Sequence, residues 1–147
     1  MQIVPMAESH IEALAALERA CFSRPWSAES LREELDNPLA LFQVAQADDG
    51  TVLGYVGVHF LTDEGFITNV AVAPDARRQG VARALLNRLE EVGTANGMYS
   101  ISLEVRVSNT PAIALYEGAG YVREGVRPGF YRNPTEDAAI YTRYFTR

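Results

Sequence analysis

Three arginines, a glycine and an alanine converge in Arg77-Arg78-Gln79-Gly80-Val81-Ala82-Arg83. From Val81 onward, apolar residues at 81, 85, 86, 89 and 92 have the spacing of one helix face. Just before the arginines, Val70-Ala71-Val72, bounded by Pro74 and Asp75, predicts the end of a buried strand. Strand, basic loop and helix start therefore follow one another directly. The first amides of a helix have no intrahelical partner and sit at the positive end of its dipole, so they suit a phosphate. Gly80 has no Cβ to hold a ligand away from the backbone, and arginines at the rim can add charge-assisted hydrogen bonds. The plainer alternative is a flexible helix entry with a solvated basic edge. The order of the residues favours a pyrophosphate site.

A second stretch could carry proton chemistry. From Ser100 to Val107, Ile101, Leu103, Val105 and Val107 alternate with Ser100, Ser102, Glu104 and Arg106. Such a strand has one apolar and one polar face. A strand reached by a helical crossover from the run ending at Val72 is its parallel neighbour, and such strands are normally apolar on both faces. The polar face is therefore expected to line a cleft, with Glu104 in its middle. By residue type alone, Glu104 is either a general base or the ion-pair partner of Arg106. Tyr116 falls seven residues after Asn109, two turns along the same helix face. Spacing alone makes it an ordinary core aromatic.

The remaining segments must position these groups. Ile3 to Met6 predicts a first strand. Ser9 with Glu12 has the spacing of a capping box, and Ile11, Leu14, Leu17 and Cys21 form one helical stripe, which makes Cys21 a core residue. Ser27 can cap a second helix, with Trp26 stapled onto Leu31. The Pro25-Trp26 loop either walls a substrate cleft or merely pins that helix. Leu41–Ala47 and Val52–Leu61 predict a hairpin around Asp48-Asp49-Gly50, and Phe66–Val72 completes a meander. Asn96-Gly97 closes the helix that starts at Gln79, Asn109 caps the next one, and Gly120 ends it. Tyr121–Val126 and Ala138–Phe145 predict two closing strands, joined by a loop that carries Phe130 and Tyr131.

The 147 residues, 48% hydrophobic and without repeat or linker, predict one α/β domain spanning 1–147. A formal charge of −6 argues against a nucleic-acid surface and leaves room for a cationic substrate. One cysteine allows no internal disulfide, and the two histidines fall in separate segments, which makes a histidine metal site or catalytic triad a poor expectation. Neither a leader nor a membrane span is evident. A cytoplasmic protein, monomeric or weakly dimeric, is the expectation.

With these segments placed, the chain resembles the GNAT superfamily of acetyl-CoA-dependent N-acetyltransferases. Arg77-Arg78-Gln79-Gly80-Val81-Ala82 fits its Q/R-x-x-G-x-G/A motif, and the order of elements agrees along nearly the whole chain. A closer likeness is to the bacterial ribosomal-protein alanine N-acetyltransferases. It rests on Pro25-Trp26-Ser27, Asn69–Leu86, Leu103-Glu104-Val105-Arg106-x-Ser108-Asn109, Ala112–Glu117, Phe130-Tyr131 and Glu136-Asp137-Ala138. The resemblance implies a mixed sheet of about seven strands, splayed between the fourth and fifth and flanked by four helices.

It also implies roles. Backbone at Val70, Ala71 and Val72 pairs with the pantetheine arm. Arg77, Arg78, Gln79, Gly80, Val81, Ala82 and Arg83 form the pyrophosphate loop, with the amides of 78–83 on the phosphates, and Asn109 contacts the cofactor. Glu104 is the general base and Tyr116 the general acid. Pro25, Trp26 and Tyr131 wall the acceptor peptide. Acetyl-CoA is the co-substrate, no metal is required, and the acceptor is a protein N-terminus. Ala82 stands where glycine is commoner, and Phe130 replaces the first tyrosine of a Tyr-Tyr pair. A small-molecule amine as acceptor, or a non-catalytic acyl-CoA-binding module, would use the same fold.

Overall fold

The computed structural model describes residues 1–145. Seven strands form one sheet: β1 (Gln2–Pro5), β2 (Ala40–Gln46), β3 (Val52–Leu61), β4 (Glu64–Val72), β5 (Ser100–Arg106), β6 (Val122–Tyr131) and β7 (Glu136–Tyr144). Their order across the sheet is β1-β2-β3-β4-β5-β7-β6. Four α-helices, α1 (Ile11–Cys21), α2 (Ala28–Glu34), α3 (Val81–Ala95) and α4 (Thr110–Gly118), cover its two faces. The mixed sheet and the helix count are those the sequence predicted.

Each face has its own core. On one, α1 and α2 bury Ile11, Leu14 and Leu31 against Phe42, Val44, Tyr55 and Ala71. On the other, α3 buries Val81, Leu85, Leu86 and Leu89 among Val56, Val58, Ile101, Leu103 and Val105. The alternation of β5 is thus realised: its odd-numbered residues from 101 to 105 face α3, while Ser102, Glu104 and Arg106 face the other side.

The meander is antiparallel from β1 to β4, and only β4 and β5 are parallel. That pairing is short: Glu64 with Ser100, Gly65 with Ile101, and Phe66 with Ser102. Beyond Phe66 the two strands part. The cause is visible in β4, where Val58 pairs with Ile67 but Gly57 pairs with Asn69, leaving Thr68 as an extra residue. Such a bulge bends its strand and increases its twist. From Ile67 to Val72 the β5-facing edge of β4 has no strand partner.

Four local expectations are corrected. Ser9 does not cap α1. Instead His10 Nδ1 accepts from the Ala7 amide at 3.0 Å, a 3-10 turn forms over Glu8–His10, and the His10 Nε2 lies 3.0 Å from Gln46 Oε1 of β2. The stripe of α3 ends on Gly93 rather than Val92, because the ring of Phe145 packs there, 3.1 Å from where a Cβ would stand. Cys21 is half-buried at the cleft rather than in the core, its thiol 3.7 Å from the Val72 carbonyl. The loop expected over 127–134 is mostly strand, because β6 runs to Tyr131. Arg106 donates to the carbonyls of Arg132 and Pro134 at 2.8 and 2.9 Å, and Asp137 Oδ1 accepts from the Gly129 amide at 2.8 Å. These bonds draw the hairpin tip onto β5.

Candidate active site

The parting of β4 and β5 opens a cleft of about 830 Å³ that passes through the sheet. Asn69 and Val70 line it from β4, and Leu103, Glu104, Val105 and Arg106 from β5. Trp26, Tyr116 and Tyr131 close it.

Glu104 and Tyr116 approach this cleft from opposite faces of the sheet. Glu104 projects on the face of α1 and α2, whereas Tyr116, from α4, belongs to the α3-side core with Leu103 and Val105. The Glu104 carboxylate is one-third exposed and its Oε1 lies 3.1 Å from Arg127 Nε. The alternative pairing of Glu104 with Arg106 is not made. Arg106 is held elsewhere, 3.1 Å from Glu136 Oε1 and with its guanidinium 4.5 Å from the centre of the Tyr131 ring. Tyr116 is 8% exposed, and its phenol is pushed up to about 12, first by burial and then by the neighbouring Tyr131. It therefore holds its proton throughout the neutral range.

Trp26 stands half-buried in the wall, its ring 6.1 Å from that of Phe42. Ser27 caps α2 as expected, accepting from the Ser30 amide at 3.1 Å. Pro25 is placed differently. It lies on the far side of Trp26, in a shallow depression with Ser30, Glu33 and Glu34, and does not line the cleft. Tyr131 lines the cleft, its phenol raised chiefly by burial.

The basic loop follows β4 directly, through a 3-10 turn over Pro74–Ala76. Arg78 and Gly80 both adopt left-handed backbone, with φ of +62° and +81°. Gly80 is the N-cap of α3 and supplies no side chain to its amides. A Cβ at Gly80 would meet no atom within 4 Å, so the space in front of the helix start is open. Val81 is buried and anchors the helix, whereas Arg78, Gln79 and Arg83 are exposed and Ala82 is half-buried. This arrangement fits a diphosphate laid on the amides of α3, with the thioester arm running along the unpaired edge of β4.

Two residues expected to contact the cofactor also bond within the protein. Arg77 folds back, its Nε donating to the Val72 carbonyl at 3.3 Å and its second terminal nitrogen lying 3.5 Å from Cys21 Sγ. The Val72 carbonyl is thereby engaged by the protein. Asn109 lines the cleft while its Oδ1 caps α4 through the Ala112 amide at 3.3 Å.

Sequence reasoning missed a buried acidic group. Glu18 is 1% exposed, lines the cleft, and accepts from the Tyr55 hydroxyl at 2.7 Å and the Trp26 amide at 2.9 Å. It lies seven residues after Ile11 and four after Leu14, on the apolar stripe of α1. A charge at that spacing was the available signal. Neither histidine lines the cleft: His10 holds Gln46, and His59 lies 2.9 Å from Glu34. Among the described residues no acidic, histidine or cysteine cluster could hold a metal, and no helix is long and apolar enough to cross a membrane.

Comparison with known proteins agrees with this fold. The model of the acetyltransferase (GNAT) family matches residues 11–121. The Escherichia coli K12 ribosomal protein bS18-alanine N-acetyltransferase is 33% identical over 135 residues, covering 92% of this chain and 88% of its own. A Bacillus subtilis strain 168 protein provisionally named for the same activity is 36% identical over 131 residues, covering 88% and 86%. The crystal structure of the E. coli ribosomal-protein-S18-alanine N-acetyltransferase superposes with a TM-score of 0.91 at 29% identity, over 99% of this chain and 94% of the other. A split sheet with a phosphate-ready helix start, matched by a family model over most of its length, places this chain in the acetyltransferase (GNAT) family as an acetyl-CoA-dependent N-acetyltransferase.

Proposed function

We propose that this enzyme acetylates the N-terminal α-amine of a protein, the alanine that opens small-subunit ribosomal protein bS18, with acetyl-CoA as donor. The observation that carries the reading is the placement of a carboxylate and a protonated phenol on opposite sides of one gap. Similarity to the bS18-alanine acetyltransferases points the reading to that acceptor.

The residues divide the work. An α-amine has a pKa of about 7.7–8.0 and is partly neutral near pH 7, whereas a lysine near 10.4 is hardly so. Glu104, reached from the α1–α2 side, takes the proton of the attacking amine, directly or through a water. The β4 amide at Val70, on the strand edge that β5 leaves unpaired, receives the thioester oxygen, where negative charge develops. The amine nitrogen bonds to the acetyl carbon and the carbon–sulfur bond breaks. Tyr116, on the far side, gives its proton to the leaving sulfur. The amides of 78–83 hold the diphosphate and so fix the thioester in the gap. Attack is direct, and no protein nucleophile is needed. Trp26 and Tyr131 wall the path of the incoming chain.

The test is release of free thiol from acetyl-CoA with a hexapeptide carrying the N-terminal sequence of bS18. Acetylation of the α-amine, located by mass spectrometry, is the expected result. If an α-blocked peptide reacts equally, or spermidine reacts while the hexapeptide does not, the acceptor is a different amine.

A further inference from the structure

One buried polar atom in the cleft has no partner. Asn69 is 7% exposed and lines the cleft from β4, yet among the described residues its Oδ1 accepts no hydrogen bond. Leaving such a group unsatisfied is costly, so its presence needs an explanation. The bulge at Thr68 is what turns Asn69 toward the α1–α2 face; without that extra residue its side chain would fall on the α3 side. Behind it the side chain is supported. Its amide faces the Tyr55 hydroxyl, which donates to Glu18 Oε2 at 2.7 Å, and Glu18 Oε1 accepts from the Trp26 amide at 2.9 Å. Glu18 and Tyr55 are both fully buried, so the hydroxyl that the Asn69 amide faces is itself fixed.

The strand register sets where Asn69 looks. On β3, Phe66 pairs with His59 and Asn69 with Gly57, two steps apart. On β5, Ser102 is the partner of Phe66, and Glu104 is two steps further on. Asn69 and Glu104 are therefore level with each other, on the same face, across the widening gap. A primary amine entering from that face has more than one N–H to place while its lone pair points into the gap. Glu104 takes the N–H that is lost. The geometry points to Asn69 Oδ1 as the acceptor of a second N–H of the incoming amine, making Asn69 a substrate-binding residue that aims the nucleophile, with Tyr55 and Glu18 as positioning residues behind it.

This inference rests on the acceptor being an amine that enters by the α1–α2 side, as in the proposed function, but not on its being bS18. The test is a cycle between enzyme and substrate, using Asn69→Leu and a hexapeptide whose N-terminal alanine is N-methylated and so carries one N–H fewer. With the ordinary peptide, Asn69→Leu is expected to lose about tenfold or more in kcat/KM, while acetyl-CoA affinity by calorimetry stays within about twofold. Methylation is expected to cost the wild type about tenfold and the variant less than about threefold, because the interaction is already gone. Equal methylation penalties in both enzymes, or an Asn69→Leu variant as active as wild type, would overturn the assignment. Asn69→Ala replaces leucine in the same cycle should leucine not fold. Spermidine and its N-methylated form run in parallel. Reaction with spermidine alone removes the peptide reading yet still reads the Asn69 cycle, and a wild type inactive on every amine removes both.

Discussion

Arg127 of β6 reaches across β7 to place its Nε 3.1 Å from the Oε1 of Glu104 on β5. The two side chains are 57% and 32% exposed, so the pair is screened and its worth to stability is small, below about 1 kcal/mol. Its consequence lies in orientation: one carboxylate oxygen is tied to the guanidinium and the other is left for the cleft. Arg127→Ala should therefore leave the thermal midpoint nearly unchanged. It should lower kcat by less than Glu104→Gln does, since the carboxylate remains. Raising sodium chloride should weaken the difference between Arg127→Ala and wild type. A salt-independent difference would show that the guanidinium acts otherwise than through this pair.

Glu104→Gln keeps the shape of the side chain and removes its capacity to take a proton. Loss of a positioned general base typically costs 10²–10⁴-fold, and that range is expected in kcat. Acetyl-CoA binding, measured by calorimetry, should persist, because the diphosphate rests on α3. Retained turnover would transfer the role of base to another group.

Tyr116→Phe removes the proton donor without opening a cavity. A loss of about 10²-fold or more in kcat is expected, with the KM for acetyl-CoA moving far less. The raised phenol also bears on stability. In the unfolded chain a tyrosine titrates near 10, whereas buried Tyr116 is pushed up to about 12, and burial pushes Tyr55 and Tyr121 up as well. The folded state therefore holds more protons, so this contribution is fully present below about pH 10 and is lost as pH rises through the folded values. All 13 basic side chains are arginine, so no lysine titrates in that window. The urea midpoint should be flat near pH 9 and fall steeply above pH 10, and less steeply in Tyr116→Phe.

Gly80→Val tests the diphosphate site. A side chain there projects into the open space before α3 and must also adopt a φ of +81°. Loss of one hydrogen bond to a charged group is worth about 1.5–3 kcal/mol, so acetyl-CoA affinity should fall tenfold or more by calorimetry. A fully folded variant with unchanged affinity would remove the diphosphate from these amides.

Local chemistry was legible in the residues themselves. The alternation of Ser100–Val107, the glycine and arginines before Val81, and the turn residues at 48–50 and 96–97 act within a few positions of one another. Periodicity and backbone constraints report such short-range order directly, so the element order and a cleft along the polar face of Ser100–Val107 followed from them, while the split between the fourth and fifth strands came with the family resemblance. Sequence also placed Glu104 on a polar strand face and gave Tyr116 its role only through family resemblance.

Tertiary structure decided the partners. Glu104 meets Arg127 rather than Arg106 because the β6–β7 hairpin lies against β5 and draws Arg106 onto its own turn. Arg77 turns away from the helix start because Val72 and Cys21 lie behind it. Glu18, Tyr55 and Asn69 come from α1, β3 and β4, and an unpaired β4 residue at Thr68 determines which face Asn69 occupies. Periodicity along a chain reports which way each side chain faces its own element, but not what another element, dozens of residues away, will set opposite it. That was settled only when strand register and the two cores closed together.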